Sequence, residues 1–165
     1  MKEIILAGGC FWGVEEYYKR LIGVVQTKVG YVNGNIENPR YEDLINQKAT
    51  HAEAVKVAYD EEVISLERIL ENLFKIIDPT SINKQGNDAG IQYRSGIYYY
   101  DSKDLEIINL FINQKTKKYK QPIVVEIQEV KNFYDAEGYH QDYLEKNPYG
   151  YCHVNFNVMD KDERK

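Results

Sequence analysis

The sequence has few cysteines, few prolines, no excess of positive charge and no long apolar run. Its two cysteines, Cys10 and Cys152, are too few for a disulfide scaffold or a zinc site of the four-cysteine kind. No apolar run approaches the ~18 residues of a membrane span, and the apolar start, 4–7, is too short for a signal peptide. A net charge of −5 argues against binding to nucleic acid or to an anionic membrane. We therefore expect a soluble, cytoplasmic protein with reduced thiols.

The residues that are present fit one globular domain. Of the 165 residues, 43% are hydrophobic and 28% are charged, which excludes disordered and fibrous classes. We expect a single catalytic domain over residues 1–158 and a charged, solvated tail over 159–165. Fifteen tyrosines are the one unusual feature of the composition.

Hydrophobic periodicity predicts strands that are separated by helices. The predicted strands are 4–7, 24–32, 53–59, 95–100 and 123–127. The predicted helices carry the apolar residues of 11–21, 66–77 and 105–112. Irregular segments fill 35–50 and 78–94, and 132–157 is predicted to be short helix and loop. This order favours a two-layer α+β sandwich with a mixed sheet. No G-x-G-x-x-G follows the first strand, which argues against a doubly wound nucleotide-binding sheet.

Cys10 is the first candidate for chemistry. It follows Gly8-Gly9 and precedes the first predicted helix, so it lies where free backbone N–H groups and the helix dipole stabilise a thiolate. We expect a lowered pKa at this thiol. The alternative is an inert, buried cysteine that packs as a small hydrophobic residue.

Phe11 and Trp12 follow Cys10 directly. Two large aromatic rings beside a nucleophile can form the wall of a pocket for a small apolar group. Phe11 shares the apolar face of the predicted helix, which leaves core packing as an equal explanation. Trp12 lies off that face, and this favours a role in the pocket.

Glu53 begins a predicted strand on the same face as Val55 and Val57. If this face is buried, desolvation raises the pKa of the carboxyl group and makes it a proton donor near neutral pH. The alternative is an exposed glutamate at the end of a strand.

Three polar residues in or beside the irregular segments are weaker candidates. Asp88 is either a turn residue or part of a site, and Tyr41 and Tyr93 can donate hydrogen bonds to a substrate oxygen.

Cys152 follows a segment that looks mobile, 147–151. A distant thiol on such a segment suits a resolving cysteine, although an incidental free thiol is the alternative. His140 and His153 lack the paired spacing of metal ligands, so we expect no metal and no cofactor.

Four blocks of the sequence occur in an order that resembles one known family. They are Gly9-Cys10-Phe11-Trp12-Gly13, His51-Ala52-Glu53, Gly86-Asn87-Asp88 with Gln92-Tyr93-Arg94-Ser95, and Tyr139-His140-Gln141-Asp142-Tyr143 with Gly150-Tyr151-Cys152. Together they resemble peptide methionine sulfoxide reductase A and span nearly the whole chain.

The resemblance implies a ferredoxin-like sandwich that reduces the S epimer of methionine sulfoxide, either free or in peptides and proteins. It implies that Cys10 is the nucleophile, Glu53 the proton donor, and Cys152 the resolving cysteine reduced by thioredoxin. Tyr41 and Tyr93 would bind the sulfoxide oxygen. Phe11 and Trp12 would hold the methyl group, and Asp88 would support the site. We expect a monomer.

Two positions depart from the family pattern, because Thr50 replaces a frequent glycine and Ala89 a frequent histidine. Two other readings of the sequence remain. One is a hydrolase that uses Cys10 and His140, which would leave Cys152 without a role. The other is a tyrosine-rich binding module with no enzymatic activity.

Overall fold

The computed structural model describes all 165 residues. The chain forms eight strands and five helices. The strands are β1 (Lys2–Ala7), β2 (Val24–Val32), β3 (Ala52–Tyr59), β4 (Lys84–Gln85), β5 (Asp88–Ala89), β6 (Gly96–Tyr99), β7 (Glu126–Glu129) and β8 (Phe133–Asp135). The helices are α1 (Phe11–Lys19), α2 (Tyr41–Ile45), α3 (Leu66–Ile76), α4 (Ser102–Thr116) and α5 (Tyr143–Lys146).

Six strands form one sheet in the order β7-β6-β1-β3-β2-β8. The pairings are antiparallel except that of β6 with β7, so the sheet is mixed. Its centre, β6-β1-β3-β2, together with α1 and α3, has the β-α-β-β-α-β order of a ferredoxin-like fold. The predicted α+β sandwich is confirmed.

Period-2 alternation gives the sheet two buried faces. Side chains such as Ile4, Leu6, Val55 and Val57 pack with the helices in the main hydrophobic cluster. A smaller cluster of mostly small or β-branched residues covers the other face, and its members are Ile5, Ala7, Val32, Ala52, Ala54 and Tyr98. Residue 53 therefore points towards the helices.

The irregular segments contain more regular structure than the sequence predicts. The segment 35–50 includes α2, and 78–94 includes the β4–β5 hairpin and a helical turn at Ile91–Tyr93. Strand β8 lies within 132–157 and pairs with β2, but its three residues are too few to show periodicity. The strand predicted at 123–127 begins only at Glu126.

The last six residues are all charged and five of them are exposed, as expected of a solvated tail, but they are attached to the domain. A helical turn, Lys161–Glu163, is followed by a β-bridge between Arg164 and Leu21. The backbone oxygen of Glu163 accepts a hydrogen bond from the N–H of Ile22, and its carboxylate binds Arg68. The tail is therefore attached to the residues just after α1 and to Arg68 of α3. The division at residue 158 stays a prediction.

None of the helices combines the length and the apolar character that crossing a membrane requires.

Candidate active site

Cys10 lies where β1 passes into α1. Strand β1 ends at Ala7, and Gly9 turns the chain with φ +84°. A Cβ atom on Gly9 would lie 2.7 Å from the Cβ of Gln85, so both its conformation and its surroundings favour glycine. Cys10 is the N-cap residue of α1 and is 7% exposed. The predicted strand-to-helix position is confirmed.

Glu53, on β3, lies beside the start of α1. Its Oε1 accepts a hydrogen bond of 3.4 Å from the backbone N–H of Phe11, the residue after Cys10. Glu53 is 1% exposed, and its Oε2 has no partner within the protein. Burial raises the pKa of this carboxyl group to about 8, against a smaller opposing effect of the Phe11 N–H. At neutral pH the group is therefore protonated, and because Oε1 accepts a hydrogen bond, the proton belongs on Oε2.

The pKa of Cys10 differs from the sequence prediction. Burial raises the pKa of this thiol well above its usual value, and negative charge at Glu53 adds to the increase. The backbone N–H of Trp12 lowers the pKa, as expected at a helix start, but its effect is smaller. The prediction of a lowered pKa is wrong, because the loss of water around a buried thiolate outweighs the stabilisation by the helix. Cys10 is a neutral thiol in this state.

Tyr41 and Tyr93 come from two different irregular segments and meet beside Glu53. Tyr41 begins α2, its backbone N–H donates to Glu137 at 3.0 Å, and Tyr93 ends the helical turn 91–93. Burial, followed by negative charge at Glu53, raises the pKa of both phenols. Both hydroxyl groups therefore keep their protons and can donate hydrogen bonds.

The aromatic residues after Cys10 have different surroundings. Phe11 is 1% exposed and belongs to the main hydrophobic cluster, so its ring packs in the core. Trp12 is half-buried, stacks on Tyr143 with ring centroids 3.7 Å apart, and donates its indole N–H to Nδ1 of His140 at 3.0 Å. The ring of His140 lies 4.7 Å from that of Tyr41. An aromatic wall therefore joins α1, α2 and the segment 138–143.

His140 is not arranged as the base of a hydrolase. Its Nδ1 accepts the indole hydrogen bond of Trp12, so in the neutral ring the proton is on Nε2. Burial lowers the pKa of His140, which favours this neutral form. Neither nitrogen is then free to take a proton from Cys10, and no carboxylate orients the ring. The geometry argues against the Cys10–His140 alternative.

Cys152 lies against the first turn of α1. A Cβ atom on Gly13 would be 2.8 Å from the Sγ of Cys152, so the absence of a side chain at residue 13 makes room for the sulfur. Both cysteines are free thiols, and burial raises the pKa of Cys152 as well. Asp88 accepts a hydrogen bond of 2.9 Å from the hydroxyl of Tyr151. The structure therefore brings the distant Cys152 to the helix that Cys10 begins.

Three residues make contacts in this site that the sequence did not indicate. His140 and Tyr143 hold Trp12, and His153 contacts the turn before Cys10. All three lie in or next to blocks 139–143 and 150–152 that carry the family resemblance, but only the tertiary contacts show what they do.

The chain is similar to proteins of one known family. The family model described as peptide methionine sulfoxide reductase matches residues 2–165. The peptide methionine sulfoxide reductase MsrA of Clostridium botulinum (strain Loch Maree) is 58% identical over 154 residues, which cover 93% of this chain and 98% of the relative. The reduced crystal structure of Mxr1 from Saccharomyces cerevisiae is 39% identical with a TM-score of 0.88 and covers 93% of this chain and 91% of its own.

A further structure of yeast Mxr1, in complex with Trx2, has a TM-score of 0.62 and 32% identity, covering 86% of this chain and 84% of its own. The residues that the family model matches, 2–165, include the whole of the site described above. This chain belongs to the peptide methionine sulfoxide reductase family.

Proposed function

We propose that this protein is a cytoplasmic oxidoreductase that reduces methionine S-sulfoxide, free or in peptides and proteins, to methionine. Cys10 takes the oxygen, Glu53 supplies the proton, and Cys152 resolves the oxidised cysteine. The observation that carries the proposal is a buried carboxyl group, protonated at neutral pH, one hydrogen bond from the residue after Cys10.

The first step transfers oxygen from the substrate to Cys10. Sulfoxide oxygen leaves readily only when it is protonated, and Glu53 provides this proton from Oε2. The sulfur of Cys10 attacks the substrate sulfur, the Cys10 thiol proton replaces the one lost by Glu53, and the hydroxyl group passes to Cys10. Methionine and a Cys10 sulfenic acid result, so the substrate gains two electrons and Cys10 loses two.

The second step regenerates the thiol. The sulfur of Cys152 attacks the sulfenic sulfur, water leaves, and a Cys10–Cys152 disulfide forms. An external dithiol then reduces the disulfide by exchange. The complex of the related Mxr1 with Trx2 supports a thioredoxin as this dithiol.

The remaining residues bind the substrate. Tyr41 and Tyr93 keep their phenolic protons and donate hydrogen bonds to the sulfoxide oxygen. Phe11 and Trp12 surround the methyl group of the substrate. His140 and Tyr143 hold the indole of Trp12 in the position that this requires. Asp88 supports the site through its hydrogen bond with Tyr151, in the segment that carries Cys152.

Mass spectrometry after one turnover tests this function. The reduced protein is mixed with a methionine S-sulfoxide peptide without any reductant. We expect about one equivalent of methionine and a protein that is lighter by about two mass units, as one disulfide requires. The Cys152→Ser variant should still yield one equivalent of methionine but form no disulfide, and thioredoxin should not sustain its turnover.

A hydrolase would be indifferent to the loss of Cys152, and a binding module would form no methionine. Either result would contradict the proposal.

A further inference from the structure

We propose that His153 is a positioning residue for the second step, in which its side chain holds the Cys152 segment against the turn before Cys10. The inference rests on the proposed function, because it takes Cys152 to be the resolving cysteine. His153 itself touches no reacting atom in this scheme.

The residues around Cys152 alternate between two sides of an extended segment. Tyr151 and His153 face one side, where the Tyr151 hydroxyl donates to Asp88 at 2.9 Å and the His153 ring contacts the backbone oxygen of Gly8 at 2.7 Å. Cys152 and Val154 face the other side, against Gly13. The contacts of His153 therefore determine which way the sulfur of Cys152 points.

The partner of His153 is next to the nucleophile. Gly8 is two residues before Cys10, and its backbone oxygen can only accept, so Nε2 of His153 carries the proton. A Cβ atom on Gly9 would lie 2.9 Å from Nε2 of His153, and one on Gly86 would lie 2.9 Å from its Cβ. The ring thus fits between two glycines, one of them directly before Cys10.

The state of the ring suits a reversible contact. Burial lowers the pKa of His153, so at neutral pH the contact is a hydrogen bond of an uncharged ring. It is also shorter than the Tyr151–Asp88 hydrogen bond, which is exposed. Residues 150–154 belong to no helix or strand, so the position of Cys152 depends on side-chain contacts, chiefly those of His153 and of the buried Val154. Holding two reacting groups close together accelerates their reaction by removing the entropy cost of bringing them together.

Timed quenching of a single turnover tests this role, with the two steps measured separately. Reduced protein is mixed with a methionine S-sulfoxide peptide without reductant, and samples are quenched with a reagent that traps sulfenic acid. Methionine reports the first step, and the Cys10–Cys152 disulfide reports the second. The variants are His153→Leu, which lacks the donor, and His153→Gln, which keeps an N–H donor.

We expect His153→Leu to form methionine within about twofold of the wild-type rate, while its disulfide forms about tenfold more slowly and sulfenic acid accumulates. His153→Gln should recover part of the disulfide rate. Tyr149→Ala, a change at a fully exposed side chain of the same segment, should leave both rates unchanged.

A normal disulfide rate in His153→Leu would overturn the inference, as would an equal fall of both rates, which would indicate general damage to the site. Absence of methionine or disulfide in the wild-type protein would instead overturn the proposed function itself. Urea unfolding of each variant separates these results from a loss of folded protein.

Discussion

The two cysteines of this protein lie in contrasting surroundings. Cys10 begins a helix and is 7% exposed, and its partner Glu53 lies on a central strand and is 1% exposed. Cys152 is half-buried on a segment without regular structure. Burial at the first position creates the protonated acid that the proposed oxygen transfer requires. The second position, in the proposed function, presents a thiol to Cys10 and then to an external reductant. The proposed first step therefore takes place where a regular helix and strand meet, and the second on a segment without regular structure.

The largest expected effect comes from removing the proton at the rigid centre. Glu53→Gln keeps the size of the side chain but cannot donate to the sulfoxide oxygen as an acid. We expect methionine formation to slow by about 10²- to 10⁴-fold, the usual contribution of a general acid. Glu3→Gln, at an exposed position of β1, is the matched control. A fall of less than about tenfold in Glu53→Gln would assign the proton to another group.

The pH dependence of the two steps should have opposite directions. The pKa of Glu53 is about 8, so methionine formation should slow by about tenfold for each pH unit above that value. Disulfide formation should accelerate over the same range, because deprotonation makes Cys152 a better nucleophile. Quenched single turnovers between pH 6 and pH 10 would measure both. Parallel profiles would remove the distinction between the two regions.

The same carboxyl group makes folding stability depend on pH. The folded-state pKa of Glu53, about 8, lies above the usual 4.5 of a glutamate side chain, so the carboxyl group ionises first in the unfolded chain. The stabilisation is complete below about pH 4.5 and is lost as pH rises through about 8. Glu53→Gln should lack this loss, so at pH 9 its free energy of unfolding in urea should exceed that of the wild type by about a few kcal/mol. Equal pH dependence of both proteins would contradict the assignment.

A smaller effect is expected at Gly13, where the Cys152 segment contacts α1. In Gly13→Ala, the new Cβ would lie 2.8 Å from Cys152 Sγ and 2.9 Å from Val154, so the Cys152 segment has to move away from α1. We expect disulfide formation to slow by about three- to tenfold, with little change in methionine formation. The change should not destabilise the helix, because alanine is more favourable than glycine in a helix by about 1 kcal/mol.

Gly138→Ala is the matched control for this change, since a Cβ there has no neighbour within 4 Å. A normal disulfide rate in Gly13→Ala would show that Cys152 moves freely between its positions before it reacts.

The smallest expected effect concerns the attachment of the C-terminus, at Glu163. Glu163→Gln weakens the contacts with Arg68 and Asn72 that attach the C-terminus to α3. Because the Glu163 side chain is only 16% exposed, we expect a loss of about 1 kcal/mol in the free energy of unfolding. Lys28→Gln, which breaks a pair whose side chains are 44% and 54% exposed, should cost less than about 0.5 kcal/mol. Equal losses would contradict a specific anchoring role for Glu163.

Sequence reasoning was most successful where local periodicity and burial coincide. The alternation of Glu53, Val55 and Val57 predicted the face of β3 correctly, and Gly8-Gly9 before an apolar helical pattern located Cys10. Ser65 is the N-cap residue of α3, a position that serine favours, and its side chain accepts a hydrogen bond from the N–H of Arg68. These features depend on neighbours within a few residues.

The failures have a common physical cause, which is dependence on distant contacts. The raised pKa of Cys10 comes mainly from burial, which no local pattern around residue 10 reveals. Strand β8 forms because β2 offers an edge, and the end of the chain is ordered by Leu21 and Arg68. The N–H of Trp12 at the start of α1 does lower the pKa of Cys10, but burial has the larger effect.

The attachment of the C-terminus has a mechanical consequence for catalysis. Helix α5 ends at Lys146 and the helical turn Phe156–Val158 packs against the main hydrophobic cluster, so Cys152 belongs to a stretch of chain that is fixed on both sides. Such a stretch can bow outward and return while its two ends stay in place. In the proposed cycle, the sulfur of Cys152 thus travels between nucleophile and reductant on a segment whose two ends stay attached.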